Sequence, residues 1–251
     1  MPKLDETDFV CLDIESTGLD TSTDRIIELA AVVFTMDTIV DEFESLINPE
    51  MQIPAASQAV HNISQEMVMD SPKIKDILPD FLAFVGNRTL VGHGVKFDID
   101  IVCKEAQRAG IPCTLQQNRS FDTLRLARLY GESPSNSLDT LRKHFNIQPE
   151  GAHRAKADVI VNVQVFRYLV QKFRTTEQIE AVLSKPIFMK NMPLGKHKGR
   201  SLKEIPIDYL CWAARQEFDN DLLFSLRSEI QRRKKGNSFT DAVNPFRLLE
   251  V

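Results

Sequence analysis

Phe9-Val10-Cys11-Leu12-Asp13-Ile14-Glu15-Ser16-Thr17-Gly18-Leu19 begins as an apolar, strand-forming run and then sets two carboxylates two residues apart. Side chains alternate between faces along a strand, so Asp13 and Glu15 share one face at roughly 6–7 Å. Two like charges at the end of a buried strand cost free energy unless something cationic sits between them. A divalent cation such as Mg²⁺, which takes one or two carboxylates and keeps other sites for water and phosphate, meets that need. For an isolated Asp-x-Glu a solvated strand end is the plainer reading, so the rest of the chain has to decide.

Working outward, Ile26–Thr35 is apolar at almost every position and reads as a strand covered on both faces. Thr38–Ile47 follows it as a third strand after a short turn. Helical spacing marks Lys73–Val85, stopped by Gly86-Asn87. Short helices are expected near Ala55–His61 and Gln65–Met69. A short strand at Thr89–Val91 then turns through Gly92-His93-Gly94 into a helix from about Val95 to Ala109. Another brief strand at Ser120–Phe121 leads to helices at Thr123–Leu129 and Ser137–Phe145, with Ser137 as N-cap of the second. The longest helix is expected over Arg154–Phe173, and a short one over Thr175–Leu183. A strand meander followed by alternating strands and helices predicts an α/β layer fold with a mixed central sheet.

Two further acids stand out. Asp98 falls in the first turn of the helix after Thr89–Val91, where the helix dipole favours a carboxylate on its own account. The glycines at Gly92 and Gly94 would let a phosphate or metal approach the backbone. Asp158 shares a helix face with Val161, Val165 and Leu169, which turns the acid toward the sheet and obliges it to find a partner. His153, five residues earlier, lies at the helix start or on the loop feeding it.

In this order and spacing the chain resembles the DEDDh branch of the DEDD exonucleases. The resemblance runs from Phe9 to about Phe173. It rests on Asp13-Ile14-Glu15-x-Thr17-Gly18-Leu19, Ile27-Glu28, Val60-His61-x-Ile63, Phe97-Asp98, Asp122-Thr123 and His153-x-Ala155-x-x-Asp158. It implies a ribonuclease H-like fold and metal-dependent 3′→5′ exonuclease activity that releases nucleoside 5′-monophosphates. By that resemblance Asp13, Glu15, Asp98 and Asp158 hold two Mg²⁺ (or Mn²⁺), and His153 is the general base. Thr17, Gly18 and Leu19 receive the terminal nucleotide, with His61 and Phe97 lining the same pocket. The family commonly has His-Asn where this chain has His93-Gly94, which removes a polar side chain from the substrate side.

The 251 residues suit a domain of about 180 residues plus a small appendage. The expected division is an exonuclease domain at 1–185, a small basic module at 186–236 and a tail, read as flexible, at 237–251. Residues 1–185 hold 19 Lys+Arg against 27 Asp+Glu, whereas 186–236 hold 11 against 6. An acidic body with a basic appendage suits an enzyme with a separate polyanion-binding module. Leu194-Gly-Lys-His-Lys-Gly-Arg200, Ile205-Pro206 and Asp208-Tyr209-Leu210-x-Trp212 are similar to the module that ends exonuclease X-type enzymes. Lys196, Lys198 and Arg200 on a glycine-flanked turn are candidate contacts to a nucleic-acid backbone. Trp212 reads first as core of this small module, with stacking on a base the alternative.

Four scattered cysteines without a Cys-x-x-Cys pair argue against zinc and redox motifs. The acidic N-terminus and the absence of a long apolar run lead to the expectation of a cytoplasmic protein without membrane contact. Expected partners are DNA with a 3′ single-stranded end, RNA as an alternative, and a polymerase or clamp reached through the tail. The rival functions are a proofreading epsilon-type subunit of DNA polymerase III, an RNA-trimming 3′ exoribonuclease, and a non-catalytic nucleic-acid-binding module.

Overall fold

Phe9–Ser16 form strand β1, Ile26–Phe34 form β2 and Ile39–Leu46 form β3. All nine residues of β2 are buried, as its apolar composition requires. The computed structural model describes residues 3–133, 135–148 and 155–242, with 236–242 described as backbone only. Two compact units divide the chain, residues 1–183 and 184–251.

In the first unit, three helices follow β3: α1 (Ala55–His61), α2 (Gln65–Val68) and α3 (Ile74–Val85). Next come β4 (Thr89–Gly92), α4 (Lys96–Ala109), β5 (Ser120–Asp122), α5 (Thr123–Tyr130), α6 (Leu138–His144), α7 (Ala155–Val170) and α8 (Thr176–Leu183). The sheet order is β3-β2-β1-β4-β5. β2 lies antiparallel to both β1 and β3, whereas β4 lies parallel to β1 and β5 parallel to β4. This mixed five-stranded sheet flanked by helices is the ribonuclease H-like arrangement.

Strand alternation sorts the core into two layers. Phe9 and Cys11 of β1 with Ala30, Val32 and Phe34 of β2 pack against Val159, Val163 and Phe166 of α7. On the opposite face Val10, Leu12 and Ile14 join Leu29, Ala31 and Val33 against Leu78, Phe81 and Val102 of α3 and α4. Phe9, Phe34 and Phe166 form a ring cluster with centroids 5.3–5.9 Å apart, at contact distance for aromatic pairs. By continuing the alternation, Asp13 and Glu15 fall on the α7 face. Helix ends are chemically marked too. Asp122 accepts the Leu124 and Arg125 amides at the start of α5, and Ser137 accepts the Thr140 amide at the start of α6.

The second unit holds α9 (Ile207–Ala213) and α10 (Asn220–Ala242). Its core is Met192, Leu202, Ile205, Leu210, Ala213, Leu222 and Leu226. Asn191 bridges Ser201 in antiparallel fashion, and Met192 N–H donates to Arg200 O at 2.9 Å, so the two-glycine stretch does fold back on itself as a narrow loop. Two expectations are corrected. Trp212 is 52% exposed rather than core, because the aliphatic side chains already fill this small interior. The α10 backbone continues to Ala242, six residues into the stretch read as a flexible tail from 237, since one interior glycine at Gly236 costs only about 1 kcal/mol. The last nine residues of the expected tail, 243–251, lie outside the described residues. No helix among the described residues is long and apolar enough to cross a membrane.

Candidate active site

β1 outruns its neighbour β4, whose pairing ends at Cys11 opposite Val91. The residues beyond, Asp13 to Ser16, therefore project at the end of the sheet while still paired to β2 on the other side. There the register opposes Glu15 to Glu28 and then skips Ile27, an irregularity of the β-bulge kind between Glu15 and Ser16. Helices from both layers bring acids to this end. α4 begins just after β4 and carries Asp98 in its first turn; α7 carries Asp158 in its own.

Asp13, Glu15 and Asp158 each present a carboxylate oxygen, and these three oxygens lie within 4.8 Å of one another. Burial, followed by the charges of Asp98, Glu15 and Asp158, pushes the Asp13 carboxyl well above its usual range. Burial likewise raises Asp98, opposed by the backbone amides of Asp98 and Ile14 and reinforced by Asp122 and Glu15. Such mutual repulsion among clustered, at least partly buried acids is relieved by a divalent cation. An all-oxygen donor set suits Mg²⁺ or Mn²⁺ rather than a soft metal. The residues present therefore fit the metal that the chemistry requires. His153 lies outside the described residues.

The loop after β1 is tightly specified. Thr17 is buried; its Oγ1 donates to Asp24 Oδ1 at 2.8 Å and its carbonyl accepts Ser57 Oγ at 2.6 Å. Gly18 packs so closely that a Cβ there would stand 2.5 Å from Asp24 Oδ2, so a side chain would push the Asp24 carboxylate off Thr17 Oγ1 and the Asp20 amide. Arg108, near the end of α4, donates to Asp24 O and Thr21 O, each at 2.9 Å, and to the buried Glu105 at 2.5 Å. One helix thus carries Asp98 at one end and anchors the Thr17–Asp24 loop at the other. Leu19, at the loop's tip, is 85% exposed.

His61 ends α1 and is buried. Its Nδ1 accepts the Ile63 amide at 3.0 Å, which leaves the proton on Nε2, and that atom finds no partner among the described residues. Burial lowers its pKa, with the Glu28 charge opposing. Phe97 is half-buried beside Asp98. Gly94 has φ +82°, and nothing would crowd a Cβ there, so its glycine answers to backbone conformation. Asn is among the few other residues that tolerate this region, so the family's His-Asn and this His93-Gly94 suit one backbone shape. Gly94 N–H donates to Asp122 at 2.9 Å, and His93 Nδ1 lies 3.0 Å from Thr123 Oγ1.

Glu28 was quoted from the sequence only as part of a motif, and the structure shows what it does. Fully buried on β2, it accepts the backbone N–H of Ala155 at 3.1 Å, at the start of the helix that carries Asp158. Its signal in the sequence was a lone carboxylate inside a nine-residue apolar strand. Glu28→Ala is expected to cost roughly 1–3 kcal/mol of stability, the penalty for an amide left buried without its acceptor. Turnover should fall about 10–100-fold as Asp158 loses its support. Glu28→Gln retains an acceptor oxygen and should recover most of both losses. Urea unfolding and steady-state rates for the two variants check this, and equal damage in both would show that charge matters instead.

Residues 10–166 match the family model described as exonuclease, and residues 180–230 match a second, described as a quorum-sensing-regulated virulence factor. Among curated relatives, the DNA polymerase III PolC-type protein of Caldanaerobacter subterraneus subsp. tengcongensis is 33% identical over 196 residues, 75% of this chain. That of Oceanobacillus iheyensis is 39% identical over 168 residues, 66% of this chain. The chain spans only 14% and 12% of these two relatives. Among solved structures, exonuclease X in complex with 5′ overhanging duplex DNA has 25% identity and a TM-score of 0.56. That likeness covers 69% of this chain and 98% of that one. Exonuclease I of E. coli in complex with a dA16 oligonucleotide has 17% identity and a TM-score of 0.60, over 71% of this chain and 43% of that one. The second likeness concerns the fold.

Proposed function

The chain belongs to the exonuclease family, whose members are metal-dependent 3′→5′ nucleases, and on that premise we propose that it removes nucleoside 5′-monophosphates one at a time from the 3′ end of DNA. The observation that carries this reading is the convergence of the Asp13, Glu15 and Asp158 oxygens, with buried Asp98 beside them, at the open end of β1. These four carboxylates would hold two Mg²⁺ or Mn²⁺. Bound there, the cations supply positive charge to the scissile phosphate and to the departing 3′ oxygen.

The remaining work falls to the chain's own groups. His153 in its neutral form takes a proton from the attacking water. A new P–O bond forms from that water as the bond to the 3′ oxygen breaks, and the phosphate leaves on the 5′ side of the terminal nucleotide. The Thr17-Gly18-Leu19 loop, held by Asp24, Ser57 and Arg108, receives that nucleotide, and exposed Leu19 wedges against its base. His61 offers its Nε2–H and Phe97 its ring to the same pocket.

Similarity to PolC-type polymerases supports a second reading, in which the same chemistry proofreads beside a polymerase. Co-purification with a polymerase would select it. Digestion of a 5′-labelled single-stranded DNA, with Mg²⁺ and with chelator, and of the matching RNA, tests the principal reading. A ladder shortening from the 3′ end only with metal is expected, faster on DNA. Faster loss of RNA would turn the reading to a 3′ exoribonuclease, and no cleavage of either would leave a binding module.

A further inference from the structure

Trp212, the chain's one tryptophan, stands 52% exposed, more than any other large apolar side chain among the described residues of its unit. Its ring lies 5.2 Å from that of Tyr209, one turn earlier on α9. Tyr209 in turn meets the His197 ring edge-on at 4.5 Å. Buried His197 belongs to the Gly195–His197 turn, so the aromatic strip runs directly into the glycine-flanked loop. Gly195 and Gly199 have φ of +73° and +83°, and a Cβ at Gly195 would stand 3.1 Å from the Tyr209 hydroxyl. The loop therefore rests against Tyr209 in a conformation that glycine permits, with Lys196, Lys198 and Arg200 all exposed.

None of these three cations pairs with a carboxylate among the described residues; Arg200 reaches only His197 Nδ1, at 3.5 Å. The contrast with Arg232 and Arg233 is direct. Both bind buried Glu229, and Arg233 also donates to Ile205 O and Leu202 O, so that basic run is structural. Their hold keeps the Glu229 carboxyl down at about 2.

We propose that the second unit carries a second, non-catalytic contact for single-stranded DNA, with Trp212 stacking on a base, Tyr209 supporting it from behind, and Lys196, Lys198 and Arg200 following the phosphates. This rests on the exonuclease reading only for the identity of the polymer. The exposed Trp212 face, backed by half-buried Tyr209 and lying on the same strip as cations without a carboxylate partner, matches a strand whose bases are π-faces and whose backbone is anionic, and every base offers such a face. An acidic peptide matches the charge but gives the rings nothing to stack on.

Trp212 is its own reporter. The full chain, kept from hydrolysis by chelator, is titrated with a labelled oligothymidylate while its tryptophan emission and the label's anisotropy are followed. Quenching in step with binding is expected. Trp212→Ala should weaken binding about tenfold. Replacing Lys196, Lys198 and Arg200 together by Ala should lower the slope of log affinity against log salt by about 2. Hydrolysis of the p-nitrophenyl ester of thymidine 5′-monophosphate, which carries a single base, should be unchanged in both variants. Saturated binding with unaltered Trp212 emission would overturn the proposal, as would equal quenching by polyglutamate, which marks an acidic-peptide site. Failure of the exonuclease reading shows separately, as intact DNA in the presence of Mg²⁺.

Discussion

Asp13→Asn is expected to reduce hydrolysis about a thousandfold or more while raising the melting temperature of the metal-free protein. The first effect follows from losing a central donor of the carboxylate cluster, where several kcal/mol of charge stabilisation is at stake and each 1.4 kcal/mol is about tenfold in rate. The second follows from the direction of the Asp13 pKa, which burial and the four neighbouring acids Asp98, Glu15, Asp158 and Glu28 raise. A carboxyl raised in the folded state binds its proton more tightly there than in the unfolded chain. Its contribution to stability is full at pH values below the ordinary carboxylate range and is lost as pH rises through the raised value. Without metal, stability should therefore fall with rising pH, and Asn should flatten that slope. Mg²⁺ should stabilise the parent chain more strongly at higher pH and the variant much less. Thermal melts with chelator and with Mg²⁺ across pH, beside turnover rates, check both parts; a variant that keeps parental turnover would remove Asp13 from the centre.

His153→Ala is expected to lower turnover about 10²–10⁴-fold, the range for removing a positioned base. Stabilisation by Mg²⁺ should survive, because the carboxylates remain. The pH profile separates the two roles. A neutral imidazole is required, so the parent rate should climb as rising pH removes the ring's proton, and the variant should lose the climb. A variant that instead loses its thermal response to Mg²⁺ would place His153 among the metal ligands.

The parts of this protein that were legible in the sequence are those governed by periodicity and by charge placement. β2 announced its burial on both faces because apolar residues fill both parities. Asp13 and Glu15 announced a shared face through their spacing, and Asp158 a sheet-facing one through Val161, Val165 and Leu169. Glu28 was less legible, because the amide it accepts belongs to Ala155, 127 positions away. Long-range partners leave no local trace. The Arg108 anchor failed for the same reason, its carbonyl partners lying 84 and 87 positions back. Trp212 was misjudged because burial in a small unit depends on which side chains reach the interior first, and hydrophobicity alone does not order them. Gly94 was read as clearance for a ligand, whereas its positive φ supplies a reason internal to the backbone.

Helix α4 has one more consequence, which concerns the tolerance of this chain to insertion and deletion. Arg108 lies ten positions after Asp98, about 15 Å of helix at 1.5 Å per step. One residue added between them would swing the guanidinium about 100° around the axis, away from the Thr21 and Asp24 carbonyls. A deletion would swing it as far the other way. Length drift is closed to this helix. Any descendant that keeps both the acid and the anchor must keep the number of residues between them.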